Sequence, residues 1–269
     1  MNPTQREQYL EAMGIMVWRQ RQPGNAQPMA ESPEAEAEVP APQALIDAAL
    51  DKAISEPTPA ILTQAQEVAT KAPNAAVASM EWPQLEASVK ACTACGLCAD
   101  RTQAVFGVGV QDADLLIVGE GPGAEEDKQG FPFVGPAGQL LDKMLAAINF
   151  ARRPSAEQQG AYIANIVKCR PPQNRDPLPE EAAACRGYLE RQVALVKPRL
   201  ILAVGRVAAQ NLLQTEAPLG RLRGTVHRHE TSNTAVMVTY HPAYLLRSPG
   251  EKRKAWEDLK QARALLSGS

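Results

Sequence analysis

The strongest constraint on how this 269-residue chain can fold is an alternation that starts near residue 114. Asp114-Leu-Leu-Ile-Val-Gly119 is a short apolar run closed by a turn residue, and a helical pattern follows over 137–149. The run recurs at 161–168, 199–205 and 234–240, separated by helical stretches at 179–196 and 207–213, and a last helix covers about 252–266. A strand joined to the next by a helical crossover predicts parallel pairing, with helices covering both faces of the sheet. The expected fold class is therefore α/β, a three-layer parallel sheet. In such sheets ligands bind outside the carboxyl ends of the strands. That rule selects residues 120–133, 165–175, 205–206 and 241–247 as one candidate rim.

The part before the alternation has a different character. Residues 1–90 hold 6 Lys/Arg against 12 Asp/Glu, whereas 91–269 hold 22 against 18. Residues 22–90 contain nine of the 22 prolines and a single aromatic, Trp82. Little apolar surface is available there to offset roughly 1–2 kcal/mol of backbone entropy per ordered residue. The expectation is a disordered N-terminal linker, with short marginal helices at 43–55 and 59–71. Residues 1–21 differ again: Leu10, Met13 and Val17 fall at near-helical spacing, and Ile15-Met-Val-Trp18 is a compact apolar run. A short peptide with Trp and Met anchors at the end of a linker reads as a docking segment. Three segments result: a docking peptide at 1–21, a Pro/Ala linker at 22–90 and a folded body at 91–269. No apolar stretch reaches the roughly 18 residues of a membrane span. The first residues also lack the basic-then-apolar order of a secretory signal, so a cytoplasmic protein is expected.

Cysteine usage agrees with that setting. The five Cys lie at 92, 95, 98, 169 and 185, an odd number, sparse for a secreted disulfide framework. Clustered thiols select zinc or an iron–sulfur cluster over hard cations. Cys92-x2-Cys95 with distant Cys169 and Cys185 suits either, although zinc sites usually pair two close knuckles. Cys98 is free or competes with Cys95. The loop 119–135 offers backbone N–H groups, a carboxylate cluster and the Phe133 ring. Its Gly119-x-Gly121-x-Gly123 spacing misses the dinucleotide fingerprint, and Glu125, Glu126 and Asp127 would repel a pyrophosphate.

Four motifs carry a family resemblance. Gly119-Glu-Gly-Pro-Gly-x3-Asp127, Gly130-x-Pro-Phe-Val-Gly135, Asn165-Ile-Val-Lys-Cys-Arg-Pro-Pro-x-Asn-Arg175 and His241-Pro-Ala-Tyr-Leu-Leu-Arg247 resemble the iron–sulfur uracil-DNA glycosylases, in order, from about Cys92 to Leu266. The resemblance implies a bacterial base-excision enzyme, nucleoid-associated, that flips uracil out of DNA and hydrolyses its N-glycosidic bond without a Schiff base. It implies one [4Fe–4S] cluster on Cys92, Cys95, Cys169 and Cys185. Glu120, Gly121 and Phe133 would hold the base, Asn165 would read its pyrimidine edge, and His241 would stand beside the departing oxygen. Glu126 would lie near the attacking water. On the same rim, Arg175 and Arg247 are candidate contacts to DNA phosphates, and Leu245-Leu246 is a candidate wedge for the vacated stack, Leu245 first. Residues 5–19 resemble the amino-terminal segment of the psi subunit of the replicase clamp loader, which implies the chi subunit as a partner through Leu10, Met13, Ile15 and Trp18. The alternative reading is a replisome adaptor whose glycosylase body is structural or weakly active.

Overall fold

The computed structural model describes residues 74–268. The docking peptide and most of the stretch read as linker lie outside the described residues. Helices α1 (Asn74–Val77) and α2 (Trp82–Lys90) come first. The expected linker therefore ends before residue 90. In α2, Leu85 and Val89 are buried, and the Gln84 side chain accepts from the Glu81 N–H at 3.1 Å to fix the helix start. Trp82 meets Phe106 and Tyr162 edge-on, with ring centroids 5.4 and 5.2 Å apart. The Pro/Ala composition of the preceding residues hides this amphipathic helix of about two and a half turns when the stretch is read as a block.

The strands are β1 (Val108–Gly109), β2 (Leu115–Gly119), β3 (Phe150–Ala151), β4 (Gln159–Asn165), β5 (Leu200–Val204), β6 (His227–Arg228) and β7 (Ala235–Thr239). Their order across the sheet is β1-β4-β2-β5-β7-β6, with β3 beside β4. The four strands expected from the apolar runs form the parallel centre. The sheet is nevertheless mixed, because β1 and β6 pair antiparallel at its two edges. Two-residue strands leave no periodic trace in a sequence, and such short edges offer little to an incoming strand.

The remaining helices are α3 (Ala124–Gln129), α4 (Pro136–Ala146), α5 (Pro179–Val196), α6 (Arg206–Leu213), α7 (Leu219–Leu222), α8 (Pro242–Arg247) and α9 (Lys252–Ser267). Successive strand residues point to opposite faces, which divides the core in two. Leu116, Val118, Ile201 and Val238 pack with Leu85 of α2, Leu189 of α5 and Leu212 of α6. Leu115, Ile117, Leu202 and Met237 pack on the other face with Leu141 of α4 and Leu259 of α9. The three layers follow directly. Among the described residues no helix is long and apolar enough to cross a membrane.

Register then brings the candidate rim together. Gly119 ends β2 opposite Asn165, which ends β4. The ladder continues briefly past both strands, with Ile166 N–H donating to Gly119 O at 2.9 Å and Val167 N–H to Glu120 O at 3.1 Å. β4 stops at Asn165 rather than at 168, so Lys168 and Cys169 leave the sheet and turn towards α5.

Candidate active site

A cavity of about 480 Å³ opens at the carboxyl ends of β2, β4 and β7. Glu120, Gly121, Glu126 and Phe133 of the first loop line it, together with Asn165, His241, Arg175 and Arg247. Eight of the nine non-cysteine residues expected at the site thus share one wall.

The floor is the most ordered part. Asn165 is 2% exposed, and its Oδ1 is buried without a hydrogen-bond partner. A Cβ on Gly119 would come 2.5 Å from that oxygen and 2.6 Å from Phe133 Cζ, so glycine is what lets the three groups converge. Phe133 holds a left-handed backbone at φ 55°, which is uncommon for a bulky residue. Two groups hold it there. Arg152 donates Nη1 to Pro132 O and Nη2 to Phe133 O, each at 2.5 Å, while its Nε pairs with Asp142 at 2.6 Å. Gly138 of α4 lies against the same Phe133 carbonyl, where any side chain would clash.

The Phe133 ring stacks with His241, centroids 5.6 Å apart and planes 29° from parallel. His241 caps α8, its Nδ1 accepting the Ala243 N–H at 3.1 Å. That bond leaves the ring proton on Nε2. Burial pushes the His241 pKa down to about 4, the nearby Arg247 adds to this, and Glu126 opposes it. The ring is therefore neutral at physiological pH and offers one N–H donor to the cavity.

The two carboxylates of the loop divide differently from expectation. Glu126 Oε1 accepts from Val134 N–H at 2.9 Å and Gly135 N–H at 3.3 Å, and Oε2 accepts from Gly123 N–H at 3.1 Å. Both oxygens thus help to close the loop, and Glu126 still lines the cavity. Glu120 has the opposite character. Burial, then the charge of Asp176 and a hydrogen bond to it, push the Glu120 carboxyl up to about 7, and Arg206 opposes the shift. Arg206 is ion-paired with Asp176. Asp176 carries no motif and is visible only once the chain after Arg175 folds back over Glu120.

The expected DNA contacts also need correction. Leu245 is 1% exposed, packed in the core beneath α8, and cannot enter a base stack. Leu246 and Tyr244, on either side of it, are exposed. Tyr244 stacks on Tyr240 at 5.2 Å, and the Arg223 guanidinium lies 4.2 Å from the Tyr240 ring centre. Arg247 is exposed at the cavity mouth. Arg175 is held by Glu181 through two bonds of 2.8 and 2.7 Å and so is less free to meet a phosphate.

Behind the floor, Cys92, Cys95, Cys98, Cys169 and Cys185 all line one narrow pocket. None of the five forms a disulfide. They arrive from three places: the segment after α2, the turn after β4, and the middle of α5. Burial pushes the Cys185 thiol up to about 12 and also raises Cys95 and Cys169, so a metal would have to displace these protons. Arg101 Nη1 donates to Cys169 Sγ at 2.9 Å. Among the described residues no three His, Cys, Asp or Glu side chains close on a single point.

Comparison with known proteins agrees with this geometry. Residues 106–260 match the model of the uracil DNA glycosylase superfamily. The chain is 41% identical over 179 residues to a type-4 uracil-DNA glycosylase of Archaeoglobus fulgidus, covering 64% of this chain and 87% of the relative. It is 40% identical over 181 residues to the type-4 enzyme of Thermotoga maritima, covering 66% and 91%. A type-5 uracil-DNA glycosylase of Pyrobaculum aerophilum is 32% identical over 146 residues, covering 50% and 63%. By its sheet with a parallel centre, its loop-built cavity and these matches, the chain belongs to the uracil-DNA glycosylase superfamily.

Proposed function

We propose that the protein excises uracil from DNA by hydrolysing the N-glycosidic bond of a nucleotide flipped into this cavity. The observation that carries the reading is the unpartnered, buried Oδ1 of Asn165. A buried acceptor without a donor costs about 1–3 kcal/mol, and a base with an N3–H supplies that donor. Uracil also presents an acceptor at its 4-position to the Asn165 amide N–H. Cytosine reverses both groups and leaves both unpaired.

The chemistry follows from the side chains around that floor. The base seats against Phe133, and the glycosidic bond breaks with its electron pair going to the uracil ring. Neutral His241 donates its Nε2–H to the uracil carbonyl oxygen on which negative charge builds, as an oxyanion hole does. Ionised Glu120 favours the cationic sugar and takes a proton from the water that attacks the anomeric carbon; the departing uracil is protonated afterwards. Leu246 and Tyr244 are the side chains available to fill the vacated stack, and Arg247 is the phosphate contact at the mouth. Cys92, Cys95, Cys169 and Cys185 would hold one [4Fe–4S] cluster. Four soft donors from three separate segments, lining one pocket, fit that group, whose contribution would be to cross-link the loops behind the site.

Uracil release from a labelled oligonucleotide tests the reading. Asn165→Asp replaces the donor to the 4-position by a repelling carboxylate, and the expected loss is about 100-fold or more. Undiminished excision by this variant overturns the assignment of Asn165, and no excision by the wild type overturns the proposal.

A further inference from the structure

Two cations stand on the wall of the cysteine pocket, and one of them has no ordinary explanation. Lys168 is 1% exposed. Its Nζ donates to Asn165 O at 2.8 Å and to Gln192 Oε1 at 2.6 Å. Gln192 is fixed in turn, its Nε2 donating to Phe106 O at 2.9 Å and to the Tyr162 hydroxyl at 3.2 Å. All of these partners are neutral. Among the described residues no carboxylate pairs with this ammonium, and the pocket it lines holds the thiols of Cys169 and Cys185. A buried ion without a counter-ion is heavily penalised, and an opposite charge beside it offsets that cost.

Arg101 repeats the pattern from the other side. Its Nη1 is on Cys169 Sγ, and its Nη2 donates to Lys90 O at 2.9 Å, which ties the end of α2 to the pocket. Both cations would be misplaced beside protonated thiols. A resting four-iron core carries two positive charges and its four thiolates four negative ones, so the assembly is a dianion. Two cations balance it.

We propose that Lys168 and Arg101 are the built-in counter-charges of the iron–sulfur site, and that Lys168 also fastens that site to the base-reading Asn165. The proposal rests on the cluster assignment above. The same ammonium that faces the cysteines grips the Asn165 carbonyl, while the amide of that residue faces the cavity. Arg101 makes no such bond. Lys168 is therefore a positioning residue, joining the cluster pocket to the base pocket through a single side chain.

The test uses the full-length holoprotein with Lys168→Met, Lys168→Gln, Arg101→Met and Arg101→Lys. Three quantities are read: the cluster reduction potential by optical titration, the rate of bleaching by a chelator, and inhibition by free uracil. Loss of a nearby cation disfavours the more negative reduced cluster. Both Met variants should therefore have lower potentials and bleach about 10-fold faster or more, while Arg101→Lys stays near the wild type. Lys168→Gln can still donate to one of the acceptors but has no charge, so its potential should fall like that of Lys168→Met even if the latter does not fold. Uracil should inhibit Lys168→Met more weakly than the wild type and Arg101→Met as strongly as the wild type. Wild-type potentials in Lys168→Gln and Arg101→Met overturn the counter-charge role, and equal uracil inhibition across all variants overturns the link to Asn165. A wild-type protein that carries zinc or no iron fails earlier, at the cluster assignment itself.

Discussion

The carboxyl of Glu120 makes a prediction that the pH dependence of excision can decide. Its pKa stands at about 7, chiefly through burial and then through Asp176. The reaction needs the ionised form, which protonation removes, so kcat/KM should rise with pH through a limb centred near 7. At pH 6 only about one-tenth of the enzyme would then be active. Asp176→Asn removes a negative charge and a hydrogen bond that both hold the proton on Glu120, so the limb should move to lower pH. A shift of about one unit would raise the pH 6 rate about fivefold. Arg206→Met works in the opposite direction, because it removes the cation that favours ionised Glu120 and leaves Asp176 unbalanced. Asp176 is exposed, so salt should shrink both displacements, while the part due to burial persists. Uracil release from a single-stranded oligonucleotide, measured from pH 5 to 9 at low and high salt, gives all three profiles. A limb that stays in place in Asp176→Asn, or that survives in Glu120→Gln, refutes the assignment of Glu120 as base.

Three further outcomes are expected. Gly119→Ala places a methyl 2.5 Å from Asn165 Oδ1 and 2.6 Å from Phe133 Cζ, and should cut excision by about 100-fold through misplacement of the base; an active variant of normal KM would contradict the floor geometry. His241→Ala removes a donor whose bond strengthens as the base leaves, and should lower kcat about 100-fold or more while changing KM little; with its pKa near 4, His241 adds no limb of its own above pH 5. Arg223 pairs with buried Asp258 through bonds of 2.8 and 2.9 Å, so Arg223→Met strands a carboxylate and should cost about 3–5 kcal/mol in denaturant unfolding, the loss shrinking as acid protonates Asp258.

The central sheet was readable because each buried parallel strand is a continuous apolar run closed by a turn residue, as at 115–119 and 200–204. Parallel order then forced the carboxyl ends together, and Asn165, Phe133 and His241 met where that rule places a ligand. Phase was harder. In the short helix α8 one residue of rotation decides whether Leu245 or Leu246 faces the core, and two adjacent leucines carry no signal for it. Glu126 reads as a free acid in a Gly-rich loop, because only loop closure brings the amides of Val134 and Gly135 to it. Lys168 reads as the polar end of a strand, since lysine is almost never fully buried. Nothing local distinguishes it from an exposed one.

These misreadings share a cause, and it bears on how the site is supported. A sequence reveals what each residue prefers, whereas the cavity is built from residues held against preference. Phe133 keeps a positive φ, Asn165 keeps an acceptor dry, Glu120 is half-buried with a raised pKa, and His241 is stripped of its charge. Each state costs stability, and none would persist on a mobile loop. The compensation is visible in the same shell. Arg152 and Gly138 hold Phe133, three backbone amides hold Glu126, and Asp127 accepts from the Thr102 N–H at 2.9 Å to tie the loop to the cysteine segment. The placement of Asn165 and Phe133 at the cavity floor therefore depends on groups behind them that line no part of it. Substitutions at Arg152, Asp127 or Lys168 belong functionally with the cavity, although none of the three stands in it.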